Sequence, residues 1–441
     1  MHQITKSPFF LITHSPITQS PIFSIHHSPI TQSPFFPIKE SPNPPPTWRA
    51  LVLPVYLPST LLAFGSGMLV PTMPLYVQSF DLSFGLISLV IAAKSIGTII
   101  ADIPVGYFLE RFGRKRMMMT GLGVLAGSMM ATALAESVVE LFLYQMLAGM
   151  GMAVWSVSRH TYITDFIRIE ARGRALAIFG GIGRFGSLTG PVVGGLIGQR
   201  FGLNVPIICE AAVAAIVFAL IATCITDSVR TTPQTHEKID HTRKIVTLVK
   251  NHARSLYTAG AACICVQAIR EGRRLITPLY GAVIIGLDVV SIGLIITIGS
   301  IVDLALFPIA GHIMDRYGRK YAMIPAFVIM AIGFVLMSFA DSFEGLLLSQ
   351  LVIGIGNGFG SGTMMTLGSD LAPAGERGQF LGIWRFIGDV GAVNGVLVVG
   401  VLADILSLAV VPIALSGLGV LASTIIFLFV KETLIPQQKP P

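Results

Sequence analysis

The chain has 441 residues, of which 53% are apolar and only 12% charged, and its 30 Lys and Arg exceed its 23 Asp and Glu to give a net charge of +7. With a mean hydropathy of +0.76, it carries about half the charge fraction of an average soluble domain, which excludes a soluble two-domain protein. Cys209, Cys224, Cys263 and Cys265 all lie in apolar segments, with no metal-ligand spacing and no Cys-x-x-Cys pair, so neither a metal site nor a disulfide framework is expected.

In chain order, residues 1–46 come first and differ from the rest. HSPITQSP occurs at 14–21 and again at 27–34, and SPFF at 7–10 and 33–36. Ser-Pro repeats cannot sustain a helix and offer little continuous apolar surface. This stretch reads as a disordered tail, with a mis-called start codon as the rival explanation. Twelve apolar spans of bilayer-crossing length follow, at about 49–77, 84–108, 117–136, 139–164, 174–198, 203–226, 254–280, 286–312, 321–340, 344–367, 378–402 and 408–430. The longest polar stretch between spans, 228–253, falls midway. It divides the chain into a six-helix bundle at 47–227, a linker, a second bundle at 254–432 and a short tail at 433–441.

Basic residues fall on alternate connections: Arg111, Arg114, Lys115 and Arg116, then Arg168, Arg172 and Arg174, then Arg230 to Arg254, then Arg316, Arg319 and Lys320, and last Arg377 and Lys431. The other connections carry Asp81, Glu136, Asp288, Asp341 and Asp404, with Arg200 the basic exception. By the positive-inside rule both termini are cytoplasmic, and a multi-pass plasma-membrane protein is expected. The excess positive charge is thus a topology signal, and no nucleic-acid partner is needed.

Between the second and third spans the chain reads GYFLERFGRKR from Gly106, and 205 positions on it reads GHIMDRYGRKY from Gly311. Glycines at Gly106, Gly113, Gly311 and Gly318 suit close helix approach and sharp turning. The acids Glu110 and Asp315 can face a helix N-terminus, while Arg111, Arg114, Arg316 and Arg319 can hold headgroups or acids. The repeat runs further: Gln145 falls on Gln350, Gly149 on Gly354, Asp165 on Asp370 and Gly190 on Gly395. Two similar halves are implied.

The pattern G-x-x-x-[DE]-R-x-G-[RK]-[RK] resembles the loop motif of the major facilitator superfamily, and the resemblance covers about 47–430. GSLTGPVVGG, with Gly186, Gly190, Pro191, Gly194 and Gly195, is similar to the fifth-helix motif of that family's 12-helix drug:proton antiporters. Ala177 stands where the full motif has another glycine. The resemblance implies an all-α membrane fold of twelve helices in two pseudo-symmetric six-helix bundles. It also implies a charge network of Glu110, Arg114 and Asp165, mirrored by Asp315, Arg319 and Asp370, that latches the cytosolic side. Gln145 replaces the fourth-helix arginine usual in antiporters, which leaves the coupling ion open.

Ionisable groups inside spans cost about 2.5–3.5 kcal/mol each at mid-bilayer and mark function by default. At about 1.5 Å per residue, Asp303 and Arg184 fall at matching depth, as do Asp102 with Arg385 and Lys94 with Asp389. The family arrangement sets helix 2 on helix 11 and helix 5 on helix 8, so these are expected to form three gating pairs between the halves. The alternative for Arg385 and Asp389 is a local i, i+4 pair. The seventh span carries Arg270, Glu271, Arg273 and Arg274, an arginine face suited to an anionic group. Trp155, Arg159 and His160 in the fourth span and Asn357 in the tenth are further cavity candidates. Core packing is the plainer reading for Trp155, and close helix packing for the glycine-rich surroundings of Asn357.

No Gly-rich phosphate loop followed by Lys-Ser/Thr is present, nor a readable nucleophile–base set, so neither ATP-driven pumping nor an enzyme is expected. The expectation is a secondary transporter, monomeric and without cofactor, exporting small amphipathic molecules in exchange for protons across the lipid bilayer. Asp102, Glu271, Asp303, Asp389 and His160 are the candidate proton carriers. The rivals are an organic-anion carrier, motivated by the arginines of the seventh span, and a transport-dead membrane sensor on the same fold.

Overall fold

In the computed structural model the described residues are 52–166, 169–225, 247–373 and 375–434, with side chains described throughout except at 165–180 and 182. The Ser/Pro tail, most of the linker and the segment beyond 434 lie outside them.

Among the described residues there are thirteen α-helices of nine residues or more and no strand. They are α1 (Leu57–Gln78, preceded by a π-turn over Val52–Tyr56), α2 (Phe84–Phe112), α3 (Arg114–Ala133), α4 (Val138–Phe166), α5 (Ile169–Phe201) and α6 (Val205–Cys224). The second set is α7 (Ala253–Leu279), α8 (Val289–Arg316), α9 (Arg319–Ser338), α10 (Phe343–Gly360), α11 (Thr363–Leu371), α12 (Arg377–Ile405) and α13 (Val411–Phe429). Eight of them are long and apolar enough to cross a bilayer: α1, α2, α4, α6, α8, α9, α12 and α13. The charges of α7 are one reason that apolarity alone does not mark every span.

The tenth span is expected as one helix and is instead two. Gly362 adopts φ +78° between α10 and α11, a conformation that glycine takes without a Cβ clash. The break frees the Gly360 carbonyl, which accepts from Thr363 Oγ1 (2.7 Å) and from Arg270 Nη2 (2.8 Å).

Both halves repeat one packing scheme. In the first, α1 packs on α5 and α6, α2 on α4, and α3 on α4 and α6; in the second, α7 packs on α12 and α13, α8 on α10, and α9 on α10 and α13. Matching local devices sit at matching places. The Tyr76 hydroxyl donates to Thr132 O (3.0 Å) and that of Tyr280 to Ala340 O (3.4 Å). Ser83 caps α2 through the Leu86 N–H, and Asp288 caps α8 through the Ser291 N–H. Gly113 (φ +82°) and Gly318 (φ +121°) turn the chain at the two repeated junctions. The chain is an all-α membrane protein of two pseudo-symmetric six-helix bundles.

The halves meet chiefly along two seams, α2 with α12 and α5 with α8. Call the end that holds the two junctions the basic end. At the opposite end both seams are shut. Asp404 accepts the Phe84 and Gly85 N–H groups, each at 2.8 Å. Gly195 lies where a Cβ would sit 2.7 Å from Val289 O, and Gly293 where one would sit 2.5 Å from Pro191 O. Toward the basic end these glycines make no close contact: a Cβ at Gly106, Gly181, Gly183, Gly311, Gly378 or Gly382 would meet no atom within 4 Å. The close helix approach expected of Gly106 and Gly311 is therefore not made in this conformation.

Candidate functional site

A cavity of about 210 Å³ lies between the halves, walled by α1, α5, α7, α8 and α10. Its charged lining is Arg184, Arg270, Glu271, Arg273, Arg274 and Asp303, with Ser187, Thr277, Ser300, Gln350 and Asn357 as polar neighbours. Four guanidiniums thus face two carboxylates.

The three arginines that α7 contributes to the cavity do three different things. Arg270 is held by structure: its Nε donates to Asn357 Oδ1 (3.0 Å), its Nη1 to Gln267 Oε1 (3.3 Å) and its Nη2 to the freed Gly360 carbonyl. Arg274, 65% exposed, pairs with Glu271 at 2.9 Å. Arg273 makes no hydrogen bond and no ion pair among the described residues, and its Nη1 is buried. A guanidinium nitrogen buried without an acceptor is costly, and Asp303 and Glu271 act on this half-buried side chain only through space. Asp303 itself accepts from Asn357 Nδ2 through Oδ2, leaving a buried Oδ1 without a donor. Two under-satisfied charges of opposite sign therefore line one cavity.

Of the three pairs expected between the halves, one forms. Arg385 Nη2 lies 3.0 Å from Asp102 Oδ2, joining α12 to α2, and its Nε lies 3.8 Å from Asp389, so the local alternative is present as well. Arg184 does not reach Asp303. It donates to Ser361 Oγ (2.9 Å) and stacks 4.2 Å from the centre of the Phe307 ring, one turn beyond Asp303. Lys94 does not reach Asp389 either; Glu210 of α6 takes it at 3.7 Å, inside the first half. Rotation about each helix axis, which counting along the chain does not give, chose these partners.

Trp155 is fully buried with Arg159 5.3 Å from its ring centre, and Arg159 Nη1 donates to Ser59 Oγ at 3.3 Å. Neither they nor His160 line the cavity, because this part of α4 packs into its own half. Asn357 does line it, between Arg270 and Asp303.

At the second junction Arg319 donates to Asp315 (2.9 Å) and Asp370 (3.0 Å). All three residues belong to one half, so this network clamps α8, α9 and α11 together and does not bridge the halves. The side chain of Asp165 in the first copy lies outside the described residues. The fifth-span motif packs helices: Gly190 sits on Gly67 of α1, and Gly195 on Val289 of α8. Four contributors were not singled out in the sequence: Gln350, which donates to Thr277 Oγ1 (3.1 Å) at the cavity wall, Glu210, Asp404 and Glu432. The 205-residue offset that pairs Gln145 with Gln350 was the available signal for the first. Glu210 shows a signal too, as an ionisable group inside a span; Asp404 and Glu432 show none, because their partners are set by folding.

Two homologous bundles, two pseudo-symmetric seams and a polar cavity between them define a multi-pass membrane transporter fold. The model of the Major Facilitator Superfamily matches residues 56–270 and 263–441, and the chain belongs to that family. It is 25% identical over 271 residues to Multidrug resistance protein 2 of Bacillus subtilis, covering 60% of this chain and 67% of that one. It is 26% identical over 345 residues to a probable nitrate transporter of Staphylococcus aureus, covering 77% and 85%. A solved bacterial homologue of the human lysosomal transporter Spinster, in an inward-facing and occupied conformation, aligns with TM-score 0.70 at 13% identity, over 86% of this chain and 96% of that one.

Proposed function

We propose that this chain is a secondary transporter that carries a small anionic solute by alternating access, with the anion seated on Arg273. The observation that carries this reading is the Arg273 guanidinium, buried at Nη1 and without an acceptor, in a cavity where arginines outnumber acids four to two. Arginine is the side chain suited to bidentate capture of a carboxylate or oxyanion. Size points the same way: about 210 Å³ is below the roughly 300–1,000 Å³ of sites for drug-sized ligands. The relative named as a probable nitrate transporter makes inorganic oxyanions part of the candidate range.

The open space around the glycines at the basic end, taken with the positive-inside rule, supports reading this as the inward-open state of a plasma-membrane protein whose termini are cytoplasmic. Rocking of the halves about the cavity would close Gly106 toward Gly382 and Gly181 toward Gly311 while opening the Asp404 end. Protons are the coupling ion in this reading, and the transporter works as a monomer.

A second reading, proton-driven export of small amphipathic compounds, is favoured by the fifth-span motif and by the relative named as a multidrug resistance protein. One experiment separates the two. The purified protein is placed in proteoliposomes under an imposed pH gradient, and internal pH is followed on adding nitrate, small organic anions or lipophilic cations. A response to anions that is lost in Arg273→Gln supports the proposal. A response to cations alone overturns it.

A further inference from the structure

Most polar groups on the cavity wall already have partners. Arg184 donates to Ser361 Oγ at 2.9 Å and lies over the Phe307 ring. Arg270 donates to Asn357, Gln267 and the Gly360 carbonyl, and Arg274 is paired with Glu271. The Ser300 hydroxyl donates to Ile296 O at 2.7 Å, that of Ser187 to Arg184 O at 2.9 Å, and Gln350 Nε2 to Thr277 Oγ1 at 3.1 Å. Among the described charged groups that line the cavity, two keep a buried atom with no hydrogen-bond partner: Arg273 at Nη1 and Asp303 at Oδ1.

These two come from consecutive helices, Arg273 from α7 and Asp303 from α8, and each side chain is half-buried. They act on each other through space without forming an ion pair. Asp303 is also held in place. Arg270 Nε donates to Asn357 Oδ1, so the amide nitrogen of Asn357 is turned to Asp303 and donates to its Oδ2. One carboxylate oxygen is thereby tied to the wall, and the other keeps its acceptor capacity.

What fits such a pair follows from charge. A solute with an anionic group alone satisfies the guanidinium but brings a second negative charge toward Asp303, which repels it. The same anion with an N–H or O–H donor turns that repulsion into a charge-assisted hydrogen bond. A site built around such an acceptor rejects the analogue that lacks the donor, because the acceptor is then left unpaired.

We propose that Arg273 and Asp303 form a two-point subsite that selects small carboxylates carrying a hydroxyl or ammonium group, with the carboxylate on Arg273 and the donor on Asp303 Oδ1. The subsite rests on the seating of an anionic group on Arg273, and it narrows the cargo from anions in general to hydroxy and amino acids.

The test uses the full chain in proteoliposomes and compares propionate with lactate, alanine and β-alanine, three-carbon acids that differ in the donor they add. Uptake under an imposed pH gradient, and competition between the acids, should favour at least one donor-bearing acid over propionate by about tenfold or more. Asp303→Asn can keep an oxygen for Asn357 while placing an amide N–H₂ where Oδ1 stood, so the preference should vanish and propionate uptake should hold or rise. Equal uptake of all the acids, lost together in Arg273→Gln, would overturn the two-point subsite and leave the anion on Arg273. Uptake of nitrate but of none of the acids would do the same, whereas a response to lipophilic cations alone would remove both readings. Should Asp303→Asn fail to fold, the order of the acids in the wild type decides alone, and propionate matching the best of the others would overturn the proposal equally.

Discussion

Asp404 and Gly85 come from opposite halves of the molecule, and the carboxylate Oδ2 of one accepts the backbone N–H of the other at 2.8 Å. With the Phe84 N–H on Oδ1, the acid sits across the first turn of α2, where a negative charge is favoured by the helix dipole and by N–H groups that have no partner within the helix. A Cβ at Gly85 would lie 2.6 Å from Asp404 Oδ2, so any larger residue here would push the carboxylate off its present position.

Asp404→Ala should therefore loosen the shut end. Charge-assisted hydrogen bonds at a helix N-terminus are worth about 1–2 kcal/mol, close to a tenfold change in population. Distances between spin labels placed on the α1–α2 and α12–α13 connections should lengthen or become bimodal. An unchanged distribution would show that the glycine contacts alone hold this end.

Gly106→Leu tests the reverse movement. No atom lies within 4 Å of a Cβ there, and a leucine in place of a helical glycine gains about 0.8–1 kcal/mol of propensity. Thermal stability of the present conformation should be kept or raised. Closure at the basic end should be blocked, so transport should fall tenfold or more, and labels on α2 and α12 at that end should stay apart under all conditions.

Arg270 and Arg273, three residues apart, should respond oppositely to glutamine. Arg270→Gln removes donors from Asn357, Gln267 and Gly360 and should destabilise by about 2–3 kcal/mol. Arg273→Gln removes a half-buried charge without hydrogen bonds and should leave the unfolding temperature unchanged or raise it. Thermal unfolding of the two variants in detergent decides this, and equal losses would show that Arg273 is structural.

Glu432 gives a pH prediction outside the membrane spans. Burial pulls its pKa up, but the backbone N–H groups of Leu434, Arg319, Lys320 and Thr433 outweigh this and hold it below the ordinary 4.5. It caps the start of α9 at 2.8 Å from the Arg319 nitrogen and 3.0 Å from that of Lys320, and Thr433 Oγ1 donates to Asp370 beside it. A lowered folded-state value means that the clamp contributes fully above the ordinary pKa and is lost as pH falls through the lowered one. Glu432→Gln should be slightly less stable than the wild type at neutral pH, by at most about 1 kcal/mol given its exposure. The difference should vanish on acidification, as read from unfolding temperatures across a pH series.

The sequence alone determined the fold of this protein. Bilayer-length apolar runs, a junction repeated after 205 residues and alternating basic connections dictate helical spans and their twofold relation, because these depend on composition and period along one chain. It also brought Arg270, Arg273, Arg274 and Asp303 into view, since charges stand out in apolar surroundings. Only the tertiary structure decided their partners. Depth along a helix can be counted, but a side chain's partner depends on the rotation of that helix and on which half it faces. That is why Lys94 turns to Glu210 instead of Asp389, why Arg184 lies on Phe307 instead of Asp303, and why, of the three cavity arginines of α7, Arg273 alone has no bonding partner.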